Sequence, residues 1–341
     1  MLTKNRYSIK ELLYWTRKET FYIGLYVTLI AILYSVVGLE FLNLPWTPIA
    51  LIGTAVAFII GFQNSAAYGR IWEARKIWGG IVNSSRSWGM KVRDMVSDEK
   101  EVHILVYRHI AWMTALRYAM RQARTWEVSH KEKTNKEWMD IIKPPEKQLA
   151  LEEALRPYLD AGELDYVLSK NNKQTALLYI QSKHLKRLQE DGKLWEFSFL
   201  ELEKLLEEFF TLQGKSERIK NFPYPRQYAT LSHFFVRLFV LMLPFGIIPE
   251  FVTIGESLME THPLIAPYFK WLCIPFCTAV SWVFYTMERI GRVGENPFEG
   301  SANDVPISSI SRGIEIDLRQ MMNEDHAGIP EQFPQYHHVQ L

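Results

Sequence analysis

Four stretches of the chain are almost free of charged side chains, whereas the remainder is densely charged. The first stretch, residues 22–39, carries no charge and is about as long as a helix that crosses a hydrocarbon core of ~30 Å. The other three stretches are residues 46–62, 228–252 and 264–287. This segregation predicts an all-α membrane protein with four transmembrane helices.

Prolines interrupt the last two of these stretches. Pro244 and Pro249 lie in the third, so we expect that helix to bend or to end early. Pro275 lies in the fourth, where it predicts a kink.

The basic residues around the stretches predict the orientation of the chain. The segment before the first stretch contains five Lys or Arg residues, whereas residues 40–45 contain Glu40 and no base. Short cytosolic flanks accumulate Lys and Arg, so both termini are expected in the cytosol. The predicted protein is a multi-pass membrane protein.

The same pattern divides the chain into five segments. We expect a cytosolic N-terminal segment at 1–21, the first two transmembrane helices at 22–71 and the last two at 228–290. Residues 72–227 are too charged for lipid and form a predicted cytosolic domain, and residues 291–341 form a cytosolic C-terminal segment.

The cytosolic domain shows apolar residues at helical spacing. The predicted helices span residues 99–126, 147–168, 175–190 and 193–213, and residues 131–145 are expected to form a loop. A short helix is predicted at 309–322, followed by a disordered polar tail.

Charge and motif content exclude several classes of function. The 341 residues carry 39 Lys and Arg against 38 Asp and Glu, so no nucleic-acid partner is expected. The sequence contains none of the common nucleotide-binding, metalloprotease or hydrolase signatures, and both cysteines, Cys273 and Cys277, lie in an apolar stretch. We predict that the protein is not an enzyme and has no catalytic residues.

The second stretch carries two stripes at a spacing of four residues. Small residues that allow close helix packing occur at Gly53, Ala57 and Gly61. One position further round the helix lie Thr54, Phe58 and Phe62. The rings of Phe58 and Phe62 face either lipid or a neighbouring helix, or they face a central axis where stacked apolar rings constrict a pore. Periodicity alone leaves both interpretations open.

The residues that follow this stretch resemble the hallmark sequence of the bestrophin family, in its bacterial branch. Further family landmarks occur in the family order, so that the resemblance covers residues 5–322. The residues that carry it are Gly61-Phe62, the run from Asn64 through Tyr68, Arg70 and Glu73 to Arg75, Gly192-Lys193-Leu194, Leu243-Pro244-Phe245, Asn296-Pro297-Phe298 and Asn303-Asp304-Val305-Pro306.

The resemblance implies a homopentameric ion channel with four membrane spans and a helical cytosolic domain in each subunit. It implies a pore neck formed by Thr54, Phe58 and Phe62, although Thr54 departs from the usual apolar residue. It also implies a second constriction, a cytosolic aperture, at Leu177.

Eukaryotic members of this family bind calcium after the Asn-Pro-Phe motif. Only Glu299 and Asp304 remain as acidic residues in the equivalent stretch. Calcium takes 6 to 8 oxygen ligands, and two carboxylates supply too few of them, so we expect no calcium site and no cofactor.

The resulting hypothesis is a passive channel for small monovalent ions, and we expect chloride or another anion because of the family. A monovalent-cation channel of the same architecture and a membrane-anchored scaffold or sensor are the alternatives. The expected partners are further copies of the chain, membrane lipid and small inorganic ions.

Four residues near the pore have roles that the sequence leaves open. Arg237 either snorkels or pairs within its subunit, or it attracts anions. Asn64 and Tyr68 either coordinate ions below the neck or pack the continuing helix, and Glu73 is expected to pair with a nearby base.

Overall fold

The computed structural model describes residues 1–127 and 133–341, and within them the regular elements are helical. Leu2 and Val339, Val96 and Leu194, and Tyr336 and Val339 form isolated β-bridges, and the described residues contain no strand. The helices are α1 (Ile9–Ser35), α2 (Trp46–Met95), α3 (Glu99–Arg121), α4 (Lys133–Ile142), α5 (Pro145–Gln148), α6 (Leu151–Leu155), α7 (Ala161–Leu168), α8 (Lys173–Glu190), α9 (Glu196–Asn221), α10 (Arg226–Ser257), α11 (Ala266–Phe269), α12 (Cys273–Gly294) and α13 (Ile307–Met321).

The chain folds into two compact units. The apolar unit comprises Asn5–Gly69 and Tyr224–Glu295, and the polar unit comprises Met1–Lys4, Arg70–Pro223 and Asn296–Leu341. The predicted boundary at residues 21 and 22 does not coincide with an end of a helix, because α1 begins at Ile9. Ser8 and Glu11 form a reciprocal capping box there, which satisfies free backbone N–H groups at the start of the helix.

In the apolar unit, α12 packs against both α1 and α10. Ile49, Val56 and Ile60 of α2 are buried with Val236 and Leu243 of α10. Polar contacts hold α12 to α1: Trp282 Nε1 donates to Thr16 Oγ1 at 2.9 Å, and Arg289 donates to the Trp15 carbonyl at 3.0 Å.

Two helices, α2 and α10, are long and apolar enough to cross a membrane. Only 28% of the apolar window of α2 and 39% of that of α10 is buried within the chain. A core helix of a soluble protein would bury most of this surface. Among the described residues, the second and third of the four predicted spans therefore lie in helices that are long and apolar enough to cross a membrane. The first predicted span begins in α1, and the fourth includes α11 and much of α12.

The prolines do not end the helices that contain them. Of the predicted bend or early end of α10, the early end is wrong, because the helix continues through Pro244 and Pro249 to Ser257. Pro275 lies in the first turn of α12, directly after a 3₁₀ turn at Lys270–Leu272. A proline in a first turn costs no helical hydrogen bond, because the N–H groups there have no partner in the helix.

The polar unit is built around α3, most of whose side chains are buried. Helices α8, α9 and α13 pack against it. Trp78, Trp88, Trp112 and Phe209 are among the fully buried side chains of its core. Residues of the predicted domain at 72–227 therefore share one helical core with residues of the C-terminal segment.

Several predicted boundaries within this unit are wrong. Residues 133–142 form α4 instead of a loop, and residues 131 and 132 of that predicted loop lie outside the described residues. The predicted helix at 147–168 is divided into α6 and α7, because residues 156–160 are not helical.

The C-terminal tail is ordered, which contradicts the predicted disorder. Thr3 N donates to the His338 carbonyl at 2.8 Å, and Gln340 N donates to the Met1 carbonyl at 2.8 Å. Val339 and Leu341 are buried with Ile142. The tail is held by backbone pairing and by an apolar cluster that its polar composition does not reveal.

Candidate functional site

Thr54, Phe58 and Phe62 lie on one exposed face of α2. The side chains of Phe58 and Phe62 are 66% and 72% exposed within the chain. The opposite positions, Val56 and Ile60, pack against α10. The large rings of Phe58 and Phe62 therefore point away from the rest of the chain, whereas the opposite face of α2 is covered by α10.

The small residues of α2 have different surroundings. A Cβ at Gly53 would stand 2.7 Å from Phe239 Cε2, whereas at Gly61 nothing lies within 4 Å. Ala57 is exposed. Within the chain, Gly53 is the residue of this predicted packing stripe at which another helix approaches closely, and open space lies beside Ala57 and Gly61.

The open space beside the rings forms an apolar groove. Phe239 of α10 and Phe284 of α12 close one side of it, with their ring centroids 4.6 Å apart. The sequence analysis did not identify these two residues, because no motif distinguishes them from other apolar residues of their helices. The groove is lined by Trp46, Ala50, Gly53, Thr54, Ala57, Phe58, Gly61, Phe62, Ser65, Phe239 and Phe284.

The hydroxyl of Thr54 is used within its own helix. Thr54 Oγ1 donates to the Ala50 carbonyl at 2.9 Å. This local bond satisfies the hydroxyl proton, so Thr54 presents a methyl group and oxygen lone pairs outward. Thr54 therefore differs less in polarity from the usual apolar residue than a threonine with a free hydroxyl group would.

Asn64 is held by backbone carbonyls of two helices. Its Nδ2 donates to the Ile60 carbonyl at 3.0 Å and to the Met287 carbonyl at 3.1 Å. A Cβ at Gly291 would stand 3.0 Å from Asn64 Oδ1, so α12 approaches closely at this point. This arrangement supports the packing interpretation for Asn64, whereas Tyr68 is 65% exposed.

Arg70 and Glu73 contact α9 in the polar unit. Arg70 Nη2 donates to the Ile219 carbonyl at 2.7 Å, and Glu73 forms an ion pair with Arg218. The prediction that Glu73 pairs with a nearby base is confirmed.

Arg237 is exposed on α10. Within residues 1–127 and 133–341 its side chain makes no hydrogen bond and no ion pair. Pairing within the subunit is therefore not observed for the described residues, which leaves snorkelling and anion attraction as the two interpretations.

Leu177 does not line an aperture, and this prediction is wrong. Its side chain is 1% exposed and belongs to the core of the polar unit. Leu177 lies on the buried face of α8, and a side chain that fills a core cannot constrict an open passage.

Glu299 and Asp304 are buried in the polar unit. Asp304 Oδ2 accepts from Gly300 N at 2.7 Å and from Ser301 N at 2.9 Å, and its Oδ1 accepts from Ser301 Oγ at 2.6 Å. Burial raises the pKa of Asp304, and these hydrogen bonds oppose that rise. Both oxygens of Asp304 thus accept hydrogen bonds in a turn. The absence of a calcium site stays a prediction.

The chain matches the family described as Bacterial/Fungal Bestrophin protein over residues 12–259 and 263–320. It is 28% identical over 308 residues to the voltage-dependent anion channel-forming protein YneE of Escherichia coli (strain K12), covering 90% of this chain and 85% of that protein. It is 26% identical over 289 residues to the voltage-dependent anion channel-forming protein RSc3414 of Ralstonia nicotianae, covering 84% and 80%.

A crystal structure of similar fold is that of a bacterial bestrophin homolog from Klebsiella pneumoniae. The two structures superpose with a TM-score of 0.71 at 22% sequence identity, covering 90% of this chain and 98% of that chain. The similarity shows that the two proteins share a fold.

Proposed function

The chain belongs to the bacterial and fungal bestrophin family, and from this membership we propose that it forms a passive channel for small anions, chloride above all. The relatives YneE and RSc3414 are named as anion channel-forming proteins. Such a channel needs no catalytic group and no cofactor.

One observation carries the proposal: a membrane-compatible helix exposes a row of apolar side chains that its own subunit leaves uncovered. Thr54, Phe58 and Phe62 form this row on α2. Several copies of α2 around an axis would bring these side chains together as stacked rings. A constriction lined by such rings can gate ion flow by dewetting.

The proposed assembly is a homopentamer in the bacterial inner membrane, with four spans in each subunit and both termini in the cytosol. The apolar groove beside Ala57 and Gly61 supports close contact with a neighbouring subunit, because small residues allow helix backbones to approach. Native mass spectrometry should then give a particle of five times the 40.0 kDa chain mass.

The preference for anions must come from charges outside the neck, because apolar rings exclude little by sign. The exposed guanidinium of Arg237 is a candidate source of such a field, provided that it faces the ion pathway in the assembly.

Reversal potentials of the purified protein in planar bilayers test the function. With a salt gradient across the membrane, a shift toward the chloride equilibrium potential supports the proposal. A shift toward the cation potential would assign the monovalent-cation alternative. Absence of current in both the wild type and a neck variant would favour the scaffold or sensor alternative.

A further inference from the structure

The polar unit contains a cavity of about 560 Å³ between α3, α13 and the C-terminal segment. This volume lies within the range of sites that hold small organic molecules. All of its lining residues belong to the polar unit, whereas the proposed neck residues belong to the apolar unit. The proposed channel function does not account for it.

Arg312 lines this cavity with an unsatisfied guanidinium. Its nearest acidic partner is Glu315, whose Oε2 lies 3.5 Å from Arg312 Nε. The Nε atom is buried beside this carboxylate, and the side chain makes no hydrogen bond within the part of the chain that the structure describes. The two Nη atoms of this planar guanidinium are therefore suited to bind a carboxylate through two parallel hydrogen bonds.

Glu315 faces Arg312 with Oε2 and contacts two other groups through Oε1. Tyr158 donates its hydroxyl to Glu315 Oε1 at 2.8 Å, and Arg319 Nη1 lies 3.5 Å from the same oxygen. Burial and the adjacent Glu315 raise the pKa of Tyr158, so this hydroxyl remains a donor.

Charged side chains line the cavity. Four are basic, those of Arg117, Lys143, Arg312 and Arg319, and two are acidic, those of Glu153 and Glu315. Arg117 pairs with Glu146 at 2.6 Å and Arg319 pairs with Glu324 at 2.6 Å, so these two guanidinium groups already have carboxylate partners. Lys143 makes no side-chain hydrogen bond or ion pair within residues 1–127 and 133–341. Two cationic groups are therefore available to a bound anion.

Aromatic rings supply the rest of the cavity wall. The Phe333 ring centroid lies 4.5 Å from Arg312 Cζ and 5.3 Å from Arg117 Cζ. Tyr118 also lines the cavity, and its hydroxyl donates to the Leu149 carbonyl at 3.0 Å. With its hydroxyl engaged, this ring offers mainly an apolar surface to a ligand.

We propose that this cavity binds a small organic anion that carries a planar aromatic ring. Arg312 and Lys143 bind its carboxylate, and Phe333 with the lining tyrosines contacts its ring. The cavity lining includes none of the proposed neck residues, so the proposal does not depend on the proposed channel function.

Calorimetric titration of the detergent-solubilised full chain tests the site with three probes. The first, 1-naphthaleneacetate, has both the ring and the carboxylate. The second, 1-naphthaleneacetamide, has the same shape without the charge, and the third, acetate, lacks the ring. Empty micelles are titrated in parallel to subtract partitioning of the naphthalene ring.

The site requires saturable binding of 1-naphthaleneacetate to the wild type, with the amide and acetate each about tenfold weaker or more, as expected for loss of a charge-assisted hydrogen bond or of ring contacts. Arg312→Gln should weaken binding to a similar extent. Lys143→Gln should also weaken it, and this exposed side chain can be changed without disturbing the core. Arg187→Gln, at an exposed position outside the cavity, is the matched control and should bind as the wild type does.

Three results would overturn the proposal. The first is the absence of saturable binding to the wild type. The second is equal binding of the acid and the amide, which would show that the charge plays no part. The third is unchanged affinity in Lys143→Gln together with unchanged affinity in a folded Arg312→Gln.

Discussion

Gly53 of α2 lies against the ring of Phe239 of α10, so closely that a Cβ at Gly53 would stand 2.7 Å from Phe239 Cε2. The Phe239 ring cannot move freely, because the ring of Phe284 on α12 packs against it, with the two ring centroids 4.6 Å apart. The distance between α2 and α10 is therefore limited by the absence of a side chain at Gly53.

Gly53→Ala should destabilise the apolar unit by about 1–3 kcal/mol, the usual cost of overpacking. Gly69→Ala on the same helix is the control, since a Cβ there meets nothing within 4 Å and Gly69 does not line the groove. Thermal unfolding in detergent should show a lower midpoint for Gly53→Ala than for Gly69→Ala. Equal midpoints would show that Phe239 does not restrain the helix.

Replacing both neck phenylalanines should increase ion flux through the proposed channel. Phe58→Ala with Phe62→Ala removes the rings that would form the narrow apolar level, and a wider constriction wets more readily. Chloride efflux from liposomes measures the effect. Phe234→Ala, at a position 58% exposed on α10, serves as the control and should leave the flux unchanged. An unaltered flux in the double variant would argue against a neck at these residues.

Glu127 and Lys220 form a buried ion pair, with side chains 1% and 3% exposed. Burial lowers the pKa of Lys220, and Glu127 opposes this shift. Glu127→Gln alone should destabilise the polar unit by about 3–5 kcal/mol, because a buried charge loses its partner.

Combining Glu127→Gln with Lys220→Met should recover part of that loss in the same denaturation experiment, because no unpaired charge remains. Glu152→Gln breaks the exposed pair with Arg156 and should change stability by no more than about 1 kcal/mol. A double variant as unstable as the sum of its single variants would contradict this account.

His109 should make the polar unit sensitive to acid. It is enclosed by Trp88, Trp112 and Phe209, and burial lowers its pKa from 6.5 to about 3. Below pH 6.5 His109 is protonated in the unfolded chain but stays neutral in the folded chain. The free energy of unfolding therefore falls as the pH falls from 6.5 toward 3.

The slope attributable to this one proton is about 1.4 kcal/mol per pH unit. Chemical denaturation at a series of pH values should give a flatter profile for His109→Gln than for the wild type. His262→Gln, at an exposed position in the apolar unit, controls for the loss of a histidine. Identical slopes for His109→Gln and the wild type would exclude His109 as the cause.

The α2 stripe shows how far local pattern reaches. Thr54, Phe58 and Phe62 share a face because of the helical period, and this period is a property of the sequence alone. Their exposure depends on the neighbours that α10 and α12 supply on the opposite face. Periodicity therefore placed the three residues together, and the fold decided that their own subunit leaves them uncovered.

Leu177 shows the converse. A leucine on an amphipathic helix can face a core or a passage, and the sequence of α8 is compatible with either. Packing of α3 against α8 buries this side chain, and that contact joins residues far apart in the chain. The C-terminal tail is similar, since its pairing with residues 1–3 involves partners at opposite ends of the sequence.

The sequence by itself determined the helical class, the apolar character of the helices proposed to span the membrane and the residues that share the α2 face, because hydropathy and helical period are local properties. It also determined family membership, through motifs carried by short runs of residues. Only the tertiary structure decided which side chains are buried, which charges are paired and where a cavity with an unsatisfied arginine forms. These properties depend on contacts between distant segments, and such contacts leave no local pattern in one sequence.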